Sequence, residues 1–506
     1  MRYFLAIYLG SIILATPCAA QKKNSERDPS EFGLPIRKTT ADGKIVNFNQ
    51  PKRIKLEITP AKEPFPALKY TLLPKYKDLK PGNAATNYYR ALLHLKMMKR
   101  IPNEKHLEYH EKWYEKPLSE KSLSVARKYL DDYGNVFKEL EKAVLCDRCD
   151  WDMRLREATG IEQISFFLDE IQESRELARL LRLKVHVEIT EKKYDQAIKT
   201  LQIGFRLASD VAKSESVISN LVGIAIMVGM YDGVLELVGV KDTPNLYWAV
   251  AVIPQPFIDL KTSLSLESEL TKKLMPAMKD AETANRTPEE WDALLRQGLR
   301  DIHRVNSSKP MTFLDQFAVT SRIITGYPHA KRKLIEWGFD PQRVEKMPVA
   351  QVVLIHDKRL LDYWSDEFLK WAFLSPRYSI PGSKSTLDKM RKVGFFSRES
   401  QESEVLGIAW VVMPASGQIL KASSRTDIRL ASLRVIEAIR MHAAYNNGQL
   451  PDSLADITVV PVPLHPETGK PFPYRKIGNK AVLDVVLIFN PKQKRANYRI
   501  EISVRK

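Results

Sequence analysis

Residues 176–211 read ELARLLRLKVHVEITEKKYDQAIKTLQIGFRLASDV, and their pattern of apolar residues indicates the fold class. Apolar side chains recur at three- and four-residue steps on both sides of a polar break at Thr190–Lys193, a spacing typical of amphipathic helices. One side of the second half is lined by Tyr194, Ala197, Ile198 and Leu201. The stretch therefore predicts a helical hairpin whose small residues let neighbouring helices pack closely.

The small–large spacing of this hairpin resembles one tetratricopeptide-type unit, but no recurrence follows at that family's period of roughly 34 residues. Helical periodicity nevertheless continues along most of the chain, and strand-like alternation is concentrated near its end. The predicted fold is mainly α, an irregular stack of helical hairpins with one tetratricopeptide-like unit, followed by a small C-terminal α+β module.

Composition and periodicity divide the chain into further segments. Residues 21–82 are rich in proline and lysine and are interpreted as an extended leader across the main body, with strand character in RIKLEI (Arg53–Ile58). Residues 83–275 form a predicted helical domain, and residues 276–400 form a second helical region. Residues 401–506 form a predicted module in which a helix precedes an antiparallel sheet.

The C-terminal module carries clear local signals. Its strand candidates are PFPYR (471–475), AVLDVVLIF (481–489) and NYRIEISV (497–504), the last of which alternates apolar and polar residues. Before them, Gly448 is the predicted left-handed cap of the helix, and Arg434 and Arg440 flank Glu437 at three-residue spacing. We interpret this segment as a folding corner, with no catalytic role for His442.

Three predictions concern the helical regions. Thr287, Pro288 and Glu290 give a helix-start signal. The most apolar internal segment, VISNLVGIAIMVGMYDGVLELVGV (Val217–Val240), contains polar residues and four glycines, which favour a pair of buried helices over a membrane span. Residues 375–387, with two prolines and a glycine, are predicted to form a loop.

The N-terminal sequence MRYFLAIYLGSIILATPCAAQ (Met1–Gln21) has the parts of a secretory signal peptide. Arg2 is followed by an apolar run that is too short to cross a bilayer, and Cys18-Ala19-Ala20 forms a small-residue cleavage site. Lipid attachment at Cys18 is the competing interpretation, which Pro17 disfavours. We expect residues 1–20 to be removed and the protein to be exported to a periplasmic or extracellular space, with no transmembrane segment remaining.

The chain is strongly basic, since 79 lysines and arginines face 61 acidic residues, a net charge of +18. Such a surplus favours polyanions, among them nucleic acid, anionic lipid headgroups and acidic polysaccharide. The charge is spread along the whole chain and no nucleic-acid-binding motif accompanies it, so no specific nucleic acid partner is expected. The predicted partner is an anionic cell-envelope component or a protein.

Cys146 and Cys149, in LCDRCDW (145–151), are the only cysteines after the signal segment. Three nearby aspartates disfavour the thiolate form that a redox dithiol needs. Zinc takes about four ligands, and no second CxxC exists. For an exported protein we predict a local disulfide between these cysteines, with free buried thiols, a redox pair and a metal site as the alternatives.

No catalytic, cofactor-binding or metal-binding residue is predicted, and no cofactor is expected. The sequence lacks HExxH, GxSxG, Walker A and GxGxxG, which lowers the expectation of an enzyme without excluding one. His106 and His110 stand one helical turn apart and are interpreted as part of a solvated charged face. His356-Asp357 is interpreted as a core or surface histidine beside an acid.

Two aromatic clusters are candidates for a ligand groove. The first contains Tyr247, Trp248 and Phe257, and the second contains Trp364, Phe368 and Trp371. The second set falls at i, i+4 and i+7, the spacing of a helical stripe, which favours a role in the core.

Several phrases together resemble an uncharacterised family of exported proteins from Planctomycetes-type bacteria. They are PALKYTLLP (66–74), PGNAATNYYRAL (81–92), PNLYWAVAVIPQPFIDL (244–260), YPHAKRKLIEWGFDPQRVEKMPVAQVVL (327–354) and RLASLRVIEAIRMHAAYNNGQLPDSLADI (429–457). This resemblance implies a secretory signal and a mainly helical body, with no activity attached. The C-terminal part, with GQLP (448–451) and PETGKPFPY (466–474), is also similar to the globular module of type II secretion pseudopilins, although here a helical body separates that module from the N-terminal apolar segment.

Two functions remain open at this level. The first is a non-catalytic exported binding or scaffold protein of the cell envelope with a basic surface. The second is an exported, hydrolase-like enzyme with a site between the helical regions, around the aromatic clusters. The enzyme requires a deep pocket with convergent carboxylates or histidines of perturbed pKa at that place.

Overall fold

The computed structural model describes residues 52–99, 118–154, 157, 160–306, 310–393, 404–487 and 498–505. The helices in this part of the chain are α1 (Ala84–Lys99), α2 (Glu120–Asp132), α3 (Gly134–Val144), α4 (Gly160–Thr190), α5 (Tyr194–Ala212), α6 (Val217–Val238), α7 (Tyr247–Ala251), α8 (Lys261–Leu274), α9 (Pro288–Asn306), α10 (Phe313–Glu336), α11 (Pro341–Lys346), α12 (Val349–Leu369), α13 (Pro376–Val393) and α14 (Ile408–Tyr445). The strands are β1 (Lys52–Ile58), β2 (Lys80–Asn83), β3 (Cys146–Arg148), β4 (Tyr474–Ile477), β5 (Lys480–Val485) and β6 (Tyr498–Val504). The protein is mainly α with a small C-terminal sheet, as predicted.

The hairpin predicted from residues 176–211 is formed by α4 and α5. The chain reverses over Glu191–Lys193, where Lys192 adopts a positive φ of 60°. On α5, Ala197, Ile198 and Leu201 are buried as the spacing predicted. Helix α6 packs against both helices and completes a three-helix layer. The likeness to a tetratricopeptide unit stays a prediction.

The apolar segment predicted to be two buried helices is the single helix α6. Its glycines do not interrupt it. One of them allows a close approach to a neighbouring helix. A Cβ at Gly223 would lie 2.7 Å from the carbonyl oxygen of Ala208 on α5, so the two backbones can only pack this closely with glycine there. By length and composition α6 is also long and apolar enough to cross a membrane, and 67% of its most apolar window is buried inside the protein.

The leader contributes a strand to the C-terminal sheet. β1 pairs in parallel with β6, from Lys52 opposite Tyr498 to Ile58 opposite Val504. The sheet order is β1-β6-β5-β4, in which β5 is antiparallel to both β4 and β6. Ladder hydrogen bonds therefore join the β1 part of the leader to the C-terminal sheet.

Buried apolar side chains form two clusters among the described residues. The first joins residues from Leu56 to Leu264 with residues from Ile419 to Ile502. The second lies between Met275 and Met413. Helix α14 takes part in both, with its beginning in the second cluster and its middle and end in the first. The sheet thus shares its core with the first helical region, while the predicted boundaries at 82, 275 and 400 stay predictions.

The loop predicted for residues 375–387 was wrong, because residues 376–387 lie within α13. Pro376 occupies the first helical position, where its fixed φ suits a helix. Pro381 lies inside the helix, where a proline normally costs about 3 kcal/mol. Tertiary packing compensates: the Trp371 ring lies against Gly382, and its indole N–H donates to Thr386 Oγ1 at 2.9 Å.

Candidate binding cavity

Two capped helices form the walls of the candidate site. At the start of α9, Thr287 Oγ1 accepts the N–H of Glu290 at 3.3 Å, and the Glu290 carboxylate accepts the N–H of Thr287 at 2.8 Å. At the start of α10, Thr312 and Asp315 exchange the same two bonds at 3.2 and 2.8 Å. Such reciprocal caps satisfy N–H groups that have no partner inside the helix. The start signal predicted at Thr287–Glu290 is confirmed.

A cavity of about 510 Å³ lies between α9, α10 and the first turn of α12. This volume is within the range of small-molecule sites. Most of its walls are apolar, and they include Leu295, Leu299, Met311, Val319, Ile323 and Met347. Its polar side chains are Asp292, Arg296, Arg300, Gln316 and Thr320.

The positive groups of the cavity stand along one face of α9. Asp292, Arg296 and Arg300 are spaced four residues apart, so their side chains follow one another along the helix. Arg296 Nε donates to the Asp292 carboxylate at 2.7 Å, and this bond raises the pKa of Arg296. Arg300 donates to Gln297 Oε1 at 2.8 Å. Two exposed guanidinium groups against one carboxylate leave the rim with a net positive charge.

The described lining of the cavity contains few groups that could act as a general base or a nucleophile. Among the described residues that line it there is no histidine or cysteine, and its one carboxylate, Asp292, is paired with Arg296. General acid–base and nucleophilic catalysis both need a base within hydrogen-bond reach of the reacting group. Within the described part of the chain, no group of three or more histidine, cysteine or acidic side chains could hold a metal ion.

A group of buried carboxylates lies away from the cavity, around the start of α14. The Asp357 carboxylate accepts the N–H groups of Val405 (2.9 Å) and Leu406, and it also contacts His356 Nδ1 at 2.9 Å. Glu404 accepts the N–H groups of Ala409 (2.9 Å) and Trp410 (3.1 Å), which begin the helix.

Burial, followed by the nearby Asp357 charge, raises the pKa of Glu404 to about 8. His356 and Asp357 have no solvent exposure. These carboxylates therefore hold backbone amides together and do not face the cavity, and the dipeptide His356-Asp357 belongs to the core.

The aromatic clusters are largely filled core. Tyr247 and Phe257 are buried in the first apolar cluster, and Trp364 and Phe368 are buried in the second. Trp248 and Trp371 are half-buried against the first cluster. None of these six side chains lines the cavity, and the enzyme hypothesis stays a prediction.

The predicted disulfide between Cys146 and Cys149 is not formed, and both thiols are free. Cys146 begins strand β3, which pairs with β2. Three residues of extended chain span about 10 Å and turn successive side chains to opposite faces, whereas a disulfide needs Cα atoms within about 7 Å. The extended backbone from Cys146 therefore separates the two sulfur atoms.

Each thiol has its own environment. Cys146 Sγ lies 3.6 Å from Asn87 Nδ2 and 3.5 Å from the carbonyl oxygen of Lys142. Burial raises the pKa of both thiols, and for Cys149 the Asp210 carboxylate adds to the effect. A raised pKa keeps a thiol protonated and unreactive, so the structure favours the alternative of free thiols over a redox pair.

Reasoning from the sequence missed the cavity. The available signal was a charged row on α9, formed by Asp292, Arg296 and Arg300, beside an apolar row that contains Leu295 and Leu299. An ordinary surface helix has the same pattern. His106 and His110 lie outside the described residues. Comparison with protein-family models, curated proteins and solved structures finds no match for this chain, so the function rests on the geometry of the site.

Proposed function

We propose that the protein is an exported, non-catalytic binding protein that holds an amphiphilic anion of the cell envelope in the cavity between α9, α10 and α12. The observation that carries the proposal is the combination of apolar walls with the guanidinium groups of Arg296 and Arg300 at the rim. An apolar chain is stabilised by removal from water at about 25 cal/mol per Å². An anionic head gains charge-assisted hydrogen bonds from the arginines.

Export is part of the same proposal and is supported by the signal-peptide features of residues 1–21. The resemblance to an exported, mainly helical family, which rests on phrases between residues 66 and 457, also supports it. The net charge of +18 supports an anionic partner, because a basic protein concentrates anions near its surface. Apolar lining and positive charge together favour an amphiphile over a purely polar polyanion.

The test compares two ligands that differ only in the head group. Dodecanoate and dodecanol are titrated into the protein by calorimetry or by displacement of a fluorescent fatty acid. We expect dodecanoate to bind more tightly. Replacement of both rim arginines (Arg296→Gln with Arg300→Gln) should weaken the binding of dodecanoate by roughly tenfold or more and leave the binding of dodecanol nearly unchanged. The reason is that hydrogen bonds to charged groups contribute about 1.5–3 kcal/mol.

The matched control removes the same amount of charge away from the cavity. Lys384 and Arg391 are exposed on α13 and do not line the cavity, so Lys384→Gln with Arg391→Gln should bind dodecanoate like the unaltered protein. Equal weakening by both pairs would mean that only the overall charge matters. Absence of dodecanoate binding, or equal affinity for the alcohol, would refute the proposal.

A further inference from the structure

Helix α10 exposes a row of large apolar side chains along its outer side. Phe313, Phe317, Ile324 and Ile335 are separated by 4, 7 and 11 residues. At 100° per residue these positions fall within about 40° of one another. Their exposed fractions are 79%, 64%, 68% and 39%, and the neighbouring Leu314 is 75% exposed. We name these five residues the outer face of α10.

This face is large for an exposed apolar surface. From Phe313 to Ile335 the helix rises about 33 Å. Isolated apolar side chains on a protein surface need no explanation, whereas several large ones on one side of a helix mark a place of contact with another apolar phase or with a partner.

The outer face adjoins the cavity on the same helix. Val319 and Ile323 of α10 line the cavity, and Ala330 and Leu334 further along are buried in the core. Thr320, which also lines the cavity, lies between the cavity side and the outer side of the helix at 100° per residue. A molecule that leaves an apolar phase beside the outer face would therefore reach the cavity by passing around one helix.

The charge of α10 indicates the sign of its partner. The helix carries four cations, Arg322, Lys331, Arg332 and Lys333, and two carboxylates, Asp315 and Glu336. Lys331 is paired with Glu345 of α11, and the buried Lys333 is paired with Glu336. Arg332 is exposed in the last turns, near Ile335. Helices that lie in a membrane interface combine an apolar face with lysine or arginine in this way. A second copy of this chain would bring one basic helix against another, which like-charge repulsion disfavours.

We propose that the outer face of α10 inserts into the surface of an anionic lipid bilayer, so that the cavity opens beside the lipid from which it takes its ligand. This inference rests on the proposed function for its purpose, but the contact itself is independent of whether the cavity is filled. Insertion would be shallow, about 5–10 Å, as for other interfacial helices.

The experiment measures partition of the full-length protein onto large vesicles by sedimentation. One set contains only phosphatidylcholine, and the other contains phosphatidylcholine with phosphatidylglycerol. We expect binding to the second set that weakens as salt is raised. The double variant Phe313→Ser with Phe317→Ser should partition roughly tenfold more weakly or worse, because two exposed rings no longer enter the lipid.

A matched control removes two exposed apolar residues elsewhere. Phe373 and Leu374, exposed by 62% and 48%, follow α12 and lie outside the outer face and the cavity. The variant Phe373→Ser with Leu374→Ser should bind vesicles like the unaltered protein. Unfolding by urea, compared for both variants, separates a loss of contact from a loss of structure.

Three results would overturn the membrane proposal. The first is no binding of the protein to anionic vesicles, and the second is an equal loss of vesicle binding in both double variants. The third is a concentration-dependent dimer in solution that the Phe313/Phe317 variant abolishes while vesicle binding is absent. The two proposals can fail separately. If the Phe313/Phe317 variant no longer binds vesicles but still binds soluble dodecanoate, both proposals are supported. If the unaltered protein binds dodecanoate but not vesicles, only the proposal of a membrane contact is refuted.

Discussion

Glu437 and Arg440 form an ion pair in which neither side chain is exposed to solvent. The Arg440 guanidinium donates to both carboxylate oxygens of Glu437, at 3.0 and 2.9 Å. It also donates to the carbonyl oxygens of Thr59, Pro244 and Thr243 at 3.1, 3.2 and 2.9 Å. One side chain on α14 therefore joins the leader to the loop before α7.

Replacement of Arg440 should destabilise the fold strongly. Arg440→Ala leaves Glu437 buried without its cation and three carbonyl groups without their donor, which typically costs about 3–5 kcal/mol. Arg440→Lys should recover only part of this, because an ammonium group cannot reproduce the planar set of donors. Urea unfolding measures the free energy of each variant.

The control is Arg391→Ala, which breaks an exposed pair with Asp388 at 3.8 Å. Exposed pairs contribute about 0–1 kcal/mol. A cost below about 1 kcal/mol for Arg440→Ala would show that the buried pair does not hold the three segments together.

Stability should fall as the pH rises from about 4 to about 7 because of Asp427. Burial raises the pKa of this carboxyl group to about 7, although the N–H of Phe257 donates to it at 3.0 Å. Since the folded-state pKa lies above the ordinary value of 3.8, the folded protein keeps the proton that the unfolded chain has released. The contribution is full below about pH 4 and is lost as the pH rises through about 7.

Asp427→Asn tests this linkage, since the amide oxygen can still accept from Phe257 but does not ionise. Urea unfolding at pH 4 and pH 8 should show the two proteins similar at pH 4, near the ordinary pKa of the carboxyl group. At pH 8 the variant should be more stable, by an amount on the order of 2–4 kcal/mol. An identical pH dependence of the two proteins would contradict a raised pKa for Asp427.

The two cysteines of the CDRC segment should titrate as thiols without reductant. In a Cys18→Ser background, denatured protein should react at both Cys146 and Cys149. In the folded protein the reaction should be slow, because burial raises the pKa of both groups. Reaction with a chromogenic disulfide reagent, followed over time, measures the number of thiols and their rate of reaction. If the denatured protein contained no reactive thiol, the prediction of a disulfide between Cys146 and Cys149 would be supported again.

Gly382→Ala should destabilise α13 through overpacking. A Cβ at this position would lie 2.3 Å from the Trp371 ring, and overpacking of this kind costs about 1–3 kcal/mol. Gly134→Ala on α3 is the control, because no atom lies within 4 Å of its added methyl group; it should be neutral or slightly stabilising.

A double-mutant cycle makes the cause specific. In a Trp371→Ala background, Gly382→Ala should cost much less, because the ring that it would meet is absent. A cost that is the same in both backgrounds would assign the effect to the helix itself and not to the contact with Trp371.

The sequence by itself predicted the features that depend on neighbouring residues. The break after Thr190, the cap at Thr287–Glu290 and the positive φ of Gly448 (79°) all appear where the local pattern placed them. Helical and strand periodicity, hydrogen bonds to the adjacent turn and the steric freedom of glycine act over a few residues, so they can be read from a few residues.

Only the tertiary structure decided which distant residues meet. A three-residue spacing such as that of Glu437 and Arg440 occurs both in solvated ion pairs and in buried ones. This pair is buried because segments far away in the chain pack over it. The parallel pairing of β1 with β6, the course of α13 through Pro381 and the cavity between α9 and α10 have the same origin. Each depends on the free energy of packing surfaces that the order of residues does not place side by side.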